Sequence, residues 1–231
     1  MTDFNDITKL IDYEDEDIFD VVLKLEKSFG LKFETNAFCS IKTFGDLCDI
    51  IISKVQGDNS DCCTTQQAFY KVRNAIAVTQ LLDKNLISPE TILQDIFPRD
   101  ERRQKIKQLQ MELGIAFNIL DIKSWLGWTI LDGILASLVM FFFKWQLALS
   151  SLLFFITVGW IANKFFAKEF ELKTVKQLTE KLVRENYVDI RRSKGIVNRK
   201  EILKIIIETF SIDLDIDEEY LTKNDKFSWA M

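Results

Sequence analysis

Between Trp125 and Phe166 the chain reads WLGWTILDGILASLVMFFFKWQLALSSLLFFITVGWIANKFF, with Asp132, Lys144 and Lys164 as its only charged side chains. The polar interruption Lys144-Trp145-Gln146 divides the stretch into halves of about 20 residues, each long enough to cross a hydrocarbon core. A helical hairpin hidden in a soluble core is the other arrangement. It is disfavoured because small soluble domains rarely enclose helices that are apolar on every face.

A hairpin and a single broken span place the flanks differently. Arg99, Arg102, Arg103, Lys105, Lys107 and Lys123 precede the stretch, and Lys164, Lys168, Lys173 and Lys176 end or follow it. Lys144 stands alone at the tip. The positive-inside bias therefore predicts two spans with both termini cytoplasmic, in the inner membrane. Trp125, Trp128 and Trp160 suit one interface and Trp145 the other. Membrane lipid is thus an expected partner. An intramembrane carboxylate is costly and marks function; the alternative for Asp132 is a headgroup position, with the first helix starting late. The headgroup position is the expectation here.

The rest of the chain sorts by charge. Residues 1–63 and 197–231 together hold 22 acidic and 11 basic side chains, whereas 64–196 hold 13 acidic and 19 basic, within a formal net charge of −5. Acidic surface excludes phosphate-neutralising nucleic-acid binding. With no histidine, the commonest general base and metal ligand are both missing. Cys39, Cys48, Cys62 and Cys63 lack metal-ligand spacing and read as free thiols. Nothing at the N-terminus resembles a signal peptide. No phosphate loop, nucleophile elbow or metal motif appears, so no enzyme and no cofactor is expected.

Two amphipathic helices open the chain. DIFDVVLKLEKSFGLKF places Ile18, Val21, Val22, Leu25 and Phe29 on one face, with Gly30 as terminator. SIKTFGDLCDIIISKV does the same with Phe44, Leu47, Ile51 and Val55. The chain closes on NRKEILKIIIETFSIDLDIDEEYLTKNDKF, where Asn198 caps a helix presenting Ile202, Ile205, Ile206 and Phe210. One such helix and its loop cannot offset their own ordering entropy, so the segment needs a partner elsewhere. In the middle, TTQQAFYKVRNAIAVTQLLDKNLISPETILQDIF and RRQKIKQLQMELGI repeat the pattern. After the apolar stretch, Lys173, Thr174, Val175 and Leu178 correspond to Lys42, Thr43, Phe44 and Leu47.

These segments resemble parts of an acyl carrier protein. Leu25, Glu26, Phe29, Gly30 and Leu31 match its L-E-x-x-F-G-I helix end, and Thr43, Phe44, Gly45, Asp46 and Leu47 its final T-V-G-D-L helix. The stretch EILKIIIETFSIDLDIDEEYLTKNDKF, from Glu201, is similar to its first helix, E-x-I-x-x-x-I-I, with Leu221, Thr222 and Phe227 in the following loop. Leu109, Met111, Leu113, Gly114 and Ile115 carry the second helix end. The resemblance implies an all-α chain of two acyl-carrier-protein-like helical bundles. One is circularly permuted, 12–55 plus 198–231. The other, 65–123 plus 169–185, is interrupted by a transmembrane hairpin at 125–166. A hairpin keeps the two halves of the interrupted bundle on one side of the membrane.

In carrier proteins a serine in D-S-L accepts the phosphopantetheine arm. The family's spacing puts Asp15 and Arg99 at the two acceptor positions, so the resemblance implies that carrier chemistry is absent. Carrier proteins dock enzymes through an acidic second helix, and Glu14, Asp15, Glu16, Asp17 and Asp20 keep that acidity here. They equally suit a solvated helix start, where carboxylates offset the dipole. The reading that follows is a membrane-anchored, non-catalytic adaptor that holds a protein partner with a basic patch at the cytoplasmic face. Two alternatives stand beside it: an integral-membrane immunity protein against a toxin, and an atypical acyl carrier using a serine such as Ser28 or Ser40.

Overall fold

A computed structural model describes residues 10–34, 37–38, 41–60, 63–166, 168–191 and 195–230. The chain is mostly helical: α1 Asp15–Phe29, α2 Phe44–Lys54, α3 Thr64–Gln80, α4 Leu93–Ile96, α5 Arg102–Leu113, α6 Ser124–Met140, α7 Trp145–Phe166, α8 Val175–Glu185, α9 Tyr187–Ile190 and α10 Arg199–Leu214. Four two-residue strands, β1 Asp58–Asn59, β2 Leu120–Asp121, β3 Glu169–Phe170 and β4 Ile196–Val197, only staple connections. The helices cluster into two compact units. One is built from the chain up to Val72 and from Thr179 onward, the other from Arg73–Leu178. The division runs inside α3 and α8 rather than at their ends.

In the first unit, the apolar face of α1 is fully committed: Ile18, Val21, Val22, Leu25 and Phe29 are all buried. Its end is set by Gly30, whose φ of 63° lies in the left-handed region that glycine tolerates. There the Leu31 amide reaches back to the Glu26 carbonyl at 2.8 Å. A capping box starts α2. The Thr43 hydroxyl accepts from the Asp46 amide at 3.2 Å, and the Asp46 carboxylate accepts from the amides of Thr43 at 2.9 Å and Lys42 at 3.0 Å. Those donors hold the Asp46 carboxyl below the usual carboxylate range.

The closing helix supplies what α1 and α2 need. Asn198 caps α10 by accepting from the amides of Lys200 and Glu201. Ile202, Ile205, Ile206, Thr209 and Phe210 are buried where α10 packs on α1 and α2, and the Phe210 ring meets Phe44 edge-on at 5.0 Å. Full burial is worth about 1.5–3 kcal/mol for each such apolar side chain. The following loop then satisfies the first amides of α2: Phe44 donates to the Asp225 carbonyl at 2.8 Å and Gly45 to Lys223 at 2.9 Å. A methyl group at Gly45 would lie 2.7 Å from that Lys223 oxygen, so only glycine admits the loop. Phe227 seals the unit, completely buried, with its amide on the Lys42 carbonyl.

β1 and β4 pair in parallel, bringing the starts of α3 and α10 together. Across this junction the Glu201 carboxylate accepts from the amides of Thr64 and Thr65, both at 2.8 Å, and from the Thr65 hydroxyl at 2.6 Å. One helix's first turn thereby caps another's, satisfying donors that a helix start otherwise leaves open.

The second unit repeats the loop bonding. Leu93 donates to Lys173, Val175 to Thr91 and Lys176 to Pro89, at 2.9, 3.0 and 2.8 Å. These match the bonds of Phe227, Phe44 and Gly45 one for one. The helices before the two loops also correspond: α3 and α10 each end on a left-handed residue with φ of 54°, Leu81 and Asp215. Buried Ala68, Val72, Ala75 and Ile76 fall at the same spacing as Ile202, Ile206, Thr209 and Phe210. α5 ends on Gly114, φ 68°, as α1 ends on Gly30. The loop bonding and the left-handed helix ends therefore recur in the two units.

Two expectations test this packing. Phe210→Ala should cost about 3–5 kcal/mol and reduce hydrogen-exchange protection in α1 and α2; unchanged protection there would show that α10 does not support them. The second concerns acid. Because the folded pKa of Asp46 is depressed, its contribution to stability is present above the unfolded carboxylate range, about 3.9. It is lost as pH falls through the lower folded value. Urea midpoints of wild type and Asp46→Asn should therefore differ at neutral pH and converge below about pH 4.

Candidate functional site

Two features of the fold face outward with chemistry unlike ordinary surface. The first is the start of α1. Glu14 stands at the N-cap and Asp15, Glu16 and Asp17 fill the first turn, all exposed, as is Asp20. On the same helix Phe19 and Leu23 are 37% and 58% exposed. Spacing of three or four residues sets Asp15, Glu16, Phe19, Asp20 and Leu23 along one outward face.

The end of the chain completes this face. The Ser228 hydroxyl bonds the Asp15 carboxylate. Trp229 is sandwiched between Phe227, at 4.5 Å and 7°, and Phe19, at 5.4 Å and 10°. Its indole N–H donates to the Ile41 carbonyl at 2.9 Å, which fixes the ring. Phe38 meets the edge of Phe19 at 5.0 Å. An aromatic stack thus lies on the same face as Asp15, Glu16 and Asp20. Sequence reasoning found the carboxylates but missed Ser228 and Trp229. Their only signal was an aromatic pair one residue apart at the end of the loop, Phe227 and Trp229.

The two positions at which the carrier-protein resemblance expects an acceptor are both engaged. Asp15 holds Ser228, and the Arg99 guanidinium makes an ion pair with Glu169 at 2.7 Å. Neither offers a nucleophile. Ser28 is 1% exposed, with its hydroxyl donating to the Arg184 carbonyl at 2.6 Å and accepting from the Tyr187 amide at 3.2 Å. It is a structural clasp between α1 and α9, not a reachable acceptor. Ser40, Cys39 and Cys62 lie outside the described residues. Burial pushes the Cys48 thiol up to about 12, leaving it inert, whereas Cys63 is exposed.

Arg102 departs from its expected place on a basic flank. It is 4% exposed, at the position in α5 that corresponds to Ile18 in α1. Its guanidinium donates to the carbonyls of Phe97, at 3.0 Å, and Lys168, and lies 4.4 Å over the Phe170 ring. Desolvation draws its pKa down, partly countered by Glu169. Arg102 thus ties the segments before and after the apolar stretch together.

The second feature is the hairpin, α6 packed against α7. Trp145–Ala162 in α7 is long and apolar enough to cross a membrane, and only 11% of that window is buried; α6 is apolar but shorter. Each hydroxyl from Trp125 to Ala162 has an internal partner. Thr129, Ser150 and Thr157 donate to carbonyls of their own helix. Ser137 donates to the Gly133 carbonyl and pairs with Ser151 across the hairpin at 2.7 Å. A methyl group at Gly133 would come within 2.3 Å of the Phe155 ring, so the helices meet at small residues. Lys144 and Trp145 are exposed at the tip.

No family model, curated protein or solved structure matches this chain.

From the acceptor positions comes a direct expectation. Coexpression with a promiscuous phosphopantetheinyl transferase should leave the intact mass unchanged. A stoichiometric gain equal to the arm would make the chain a working carrier.

Proposed function

We propose that this chain is a membrane-anchored, non-catalytic adaptor. Two helical bundles related to acyl carrier proteins, one permuted and one interrupted by the hairpin, face the cytoplasm, and α6 and α7 both span the inner membrane. The acidic-aromatic face of α1 docks a protein partner that presents a basic patch.

The observation that carries the reading is the Phe19–Trp229 stack on the face of Asp15, Glu16 and Asp20, at a helix start that Glu14 and Asp17 make more acidic still. A solvated helix start needs the carboxylates alone. A fixed, partly exposed aromatic pair on that face adds the apolar anchor around which protein interfaces concentrate their energy. The surrounding charge raises the rate of encounter with a basic surface and rejects acidic ones. The satisfied hydroxyls and exposed apolar surface of the hairpin support the anchor, since hydrocarbon tolerates polar groups only when they are bonded internally.

A photo-crosslinker at Leu23, in the full chain in native membranes, tests the reading. Recovery of a basic-faced cytoplasmic enzyme or effector supports an adaptor; recovery of a toxin replaces it with an immunity protein. With the recovered partner, Glu16→Lys plus Asp20→Lys should slow association about tenfold at low salt and flatten its ionic-strength dependence. An association rate that ignores both the substitutions and salt would sink the acidic docking face.

A further inference from the structure

The hairpin's packing fixes the depth of Asp132, and that depth has a consequence for what surrounds it. Gly133 abuts Phe155, Ser137 pairs with Ser151, and Ile130 lies against Gly159. In this antiparallel register Asp132 stands level with Ile156. The apolar window of α7 runs from Trp145 to Ala162. Ile156 is therefore about 4 Å along the helix from the middle of that window, at 1.5 Å per residue. The headgroup position expected from sequence does not fit this register: from Asp132 to the end of α6 at Met140 the helix rises only about 12 Å, far short of a hydrocarbon core.

Asp132 also points away from α7. It is exposed and makes no hydrogen bond or ion pair with a described residue. The residues that share its face at helical spacing are Trp125, Trp128, Thr129, Leu135, Ala136 and Val139, all exposed. Thus the stripe is apolar apart from the Thr129 hydroxyl, which is bonded to the Leu126 carbonyl of its own helix, and one carboxylate near its centre. Facing lipid, a carboxylate at this depth is expensive, and such groups are paired within a protein interior.

We infer that the Trp128–Asp132–Leu135 face of α6 is an intramembrane interface for a transmembrane helix of another protein that carries a lysine or arginine near its midpoint. The inference rests on the membrane reading of the hairpin and extends it. Charge complementarity selects this occupant over a second copy. Two copies of equal topology would bring Asp132 against Asp132, and the tip cation, Lys144, is 12 residues along the chain, at the tip rather than at the level of Asp132. A basic side chain at matching depth meets the carboxylate directly, and Leu135, Val139 and the tryptophans supply the packing around it.

The probe is a dansyl-labelled leucine-alanine transmembrane peptide with one central lysine, in phosphatidylcholine vesicles holding the full-length chain. Energy transfer from the chain's tryptophans, including Trp125 and Trp128 on the proposed face, reports association. The lysine peptide should associate about tenfold more tightly than a central-leucine peptide, the scale of one interhelical polar contact. A peptide with its lysine moved to the end turn should lose that advantage. Asp132→Leu, a change that suits an apolar helix, should abolish it. Equal association of both peptides, or an advantage that survives Asp132→Leu, overturns the pairing, as does transfer between differently labelled chains that depends on Asp132. Alkaline extraction and protease protection of the hairpin are read beforehand. If the hairpin is not inserted, the membrane reading itself fails, and the pairing with it.

Discussion

Everything in the first unit depends on the contact between α10 and the pair α1–α2. Each partner is inadequate without the other. α1 and α2 present Ile18, Val21, Val22, Leu25, Phe44, Leu47 and Ile51, a face too large to leave in water. The 16 residues of α10 would lose about 1–2 kcal/mol each in backbone entropy on ordering alone. Joining them buries both faces at once. The loop after α10 then caps α2 through Lys223 and Asp225, so the apolar contact and the backbone bonding reinforce each other. The contact joins segments distant in sequence, α10 with α1 and α2. The second unit bonds the corresponding loop, 87–93, in the same register.

The helices were legible because their signals are local. Apolar spacing identified the inner faces of α1, α2 and α10; Gly30, Asn198 and the Thr43–Asp46 box are terminators and caps whose partners lie within a few residues. What sequence did not reveal has distant partners. Glu201 is an ordinary exposed-looking helix residue until β1 and β4 bring Thr64 and Thr65 to it. Arg102 reads as one more flanking cation, yet its position corresponds to a core isoleucine, and its donors find carbonyls on both sides of the apolar stretch. The level at which Asp132 meets α7 is likewise nonlocal, since the small residues at Gly133, Ser137 and Ser151 set how α6 and α7 register. Hydropathy reports that a helix is apolar, and says nothing of the level at which its neighbour meets it.

The candidate face follows the same division. Its carboxylates were evident from a run of acidic letters, and that run has a structural use of its own at the N-terminus of α1. What separates docking from dipole compensation is the aromatic stack, assembled from Phe19 and from residues more than two hundred positions later. Trp229 is held there by its indole bond to Ile41 and by flat stacking on buried Phe227. A side chain fixed in this way has already lost its rotamer freedom, so a partner packing on it loses less entropy on binding than one meeting a mobile side chain.

The bonding of Phe227 also decides where that face can be. In the second unit Leu93, whose amide bond corresponds to that of Phe227, itself opens α4. In the first, Phe227 is followed by Ser228–Ala230 and α1 is preceded by Leu10–Asp12, two short helical turns that meet. The first of these turns carries Ser228 and Trp229 onto α1. Residues distant in sequence therefore build one surface: α1 contributes the acidic first turn, and Ser228 and Trp229 contribute the hydroxyl that bonds Asp15 and the ring that stacks on Phe19. Neither contribution is recognisable from its own segment, because each acquires its place only when α10 and its loop have packed on α1 and α2.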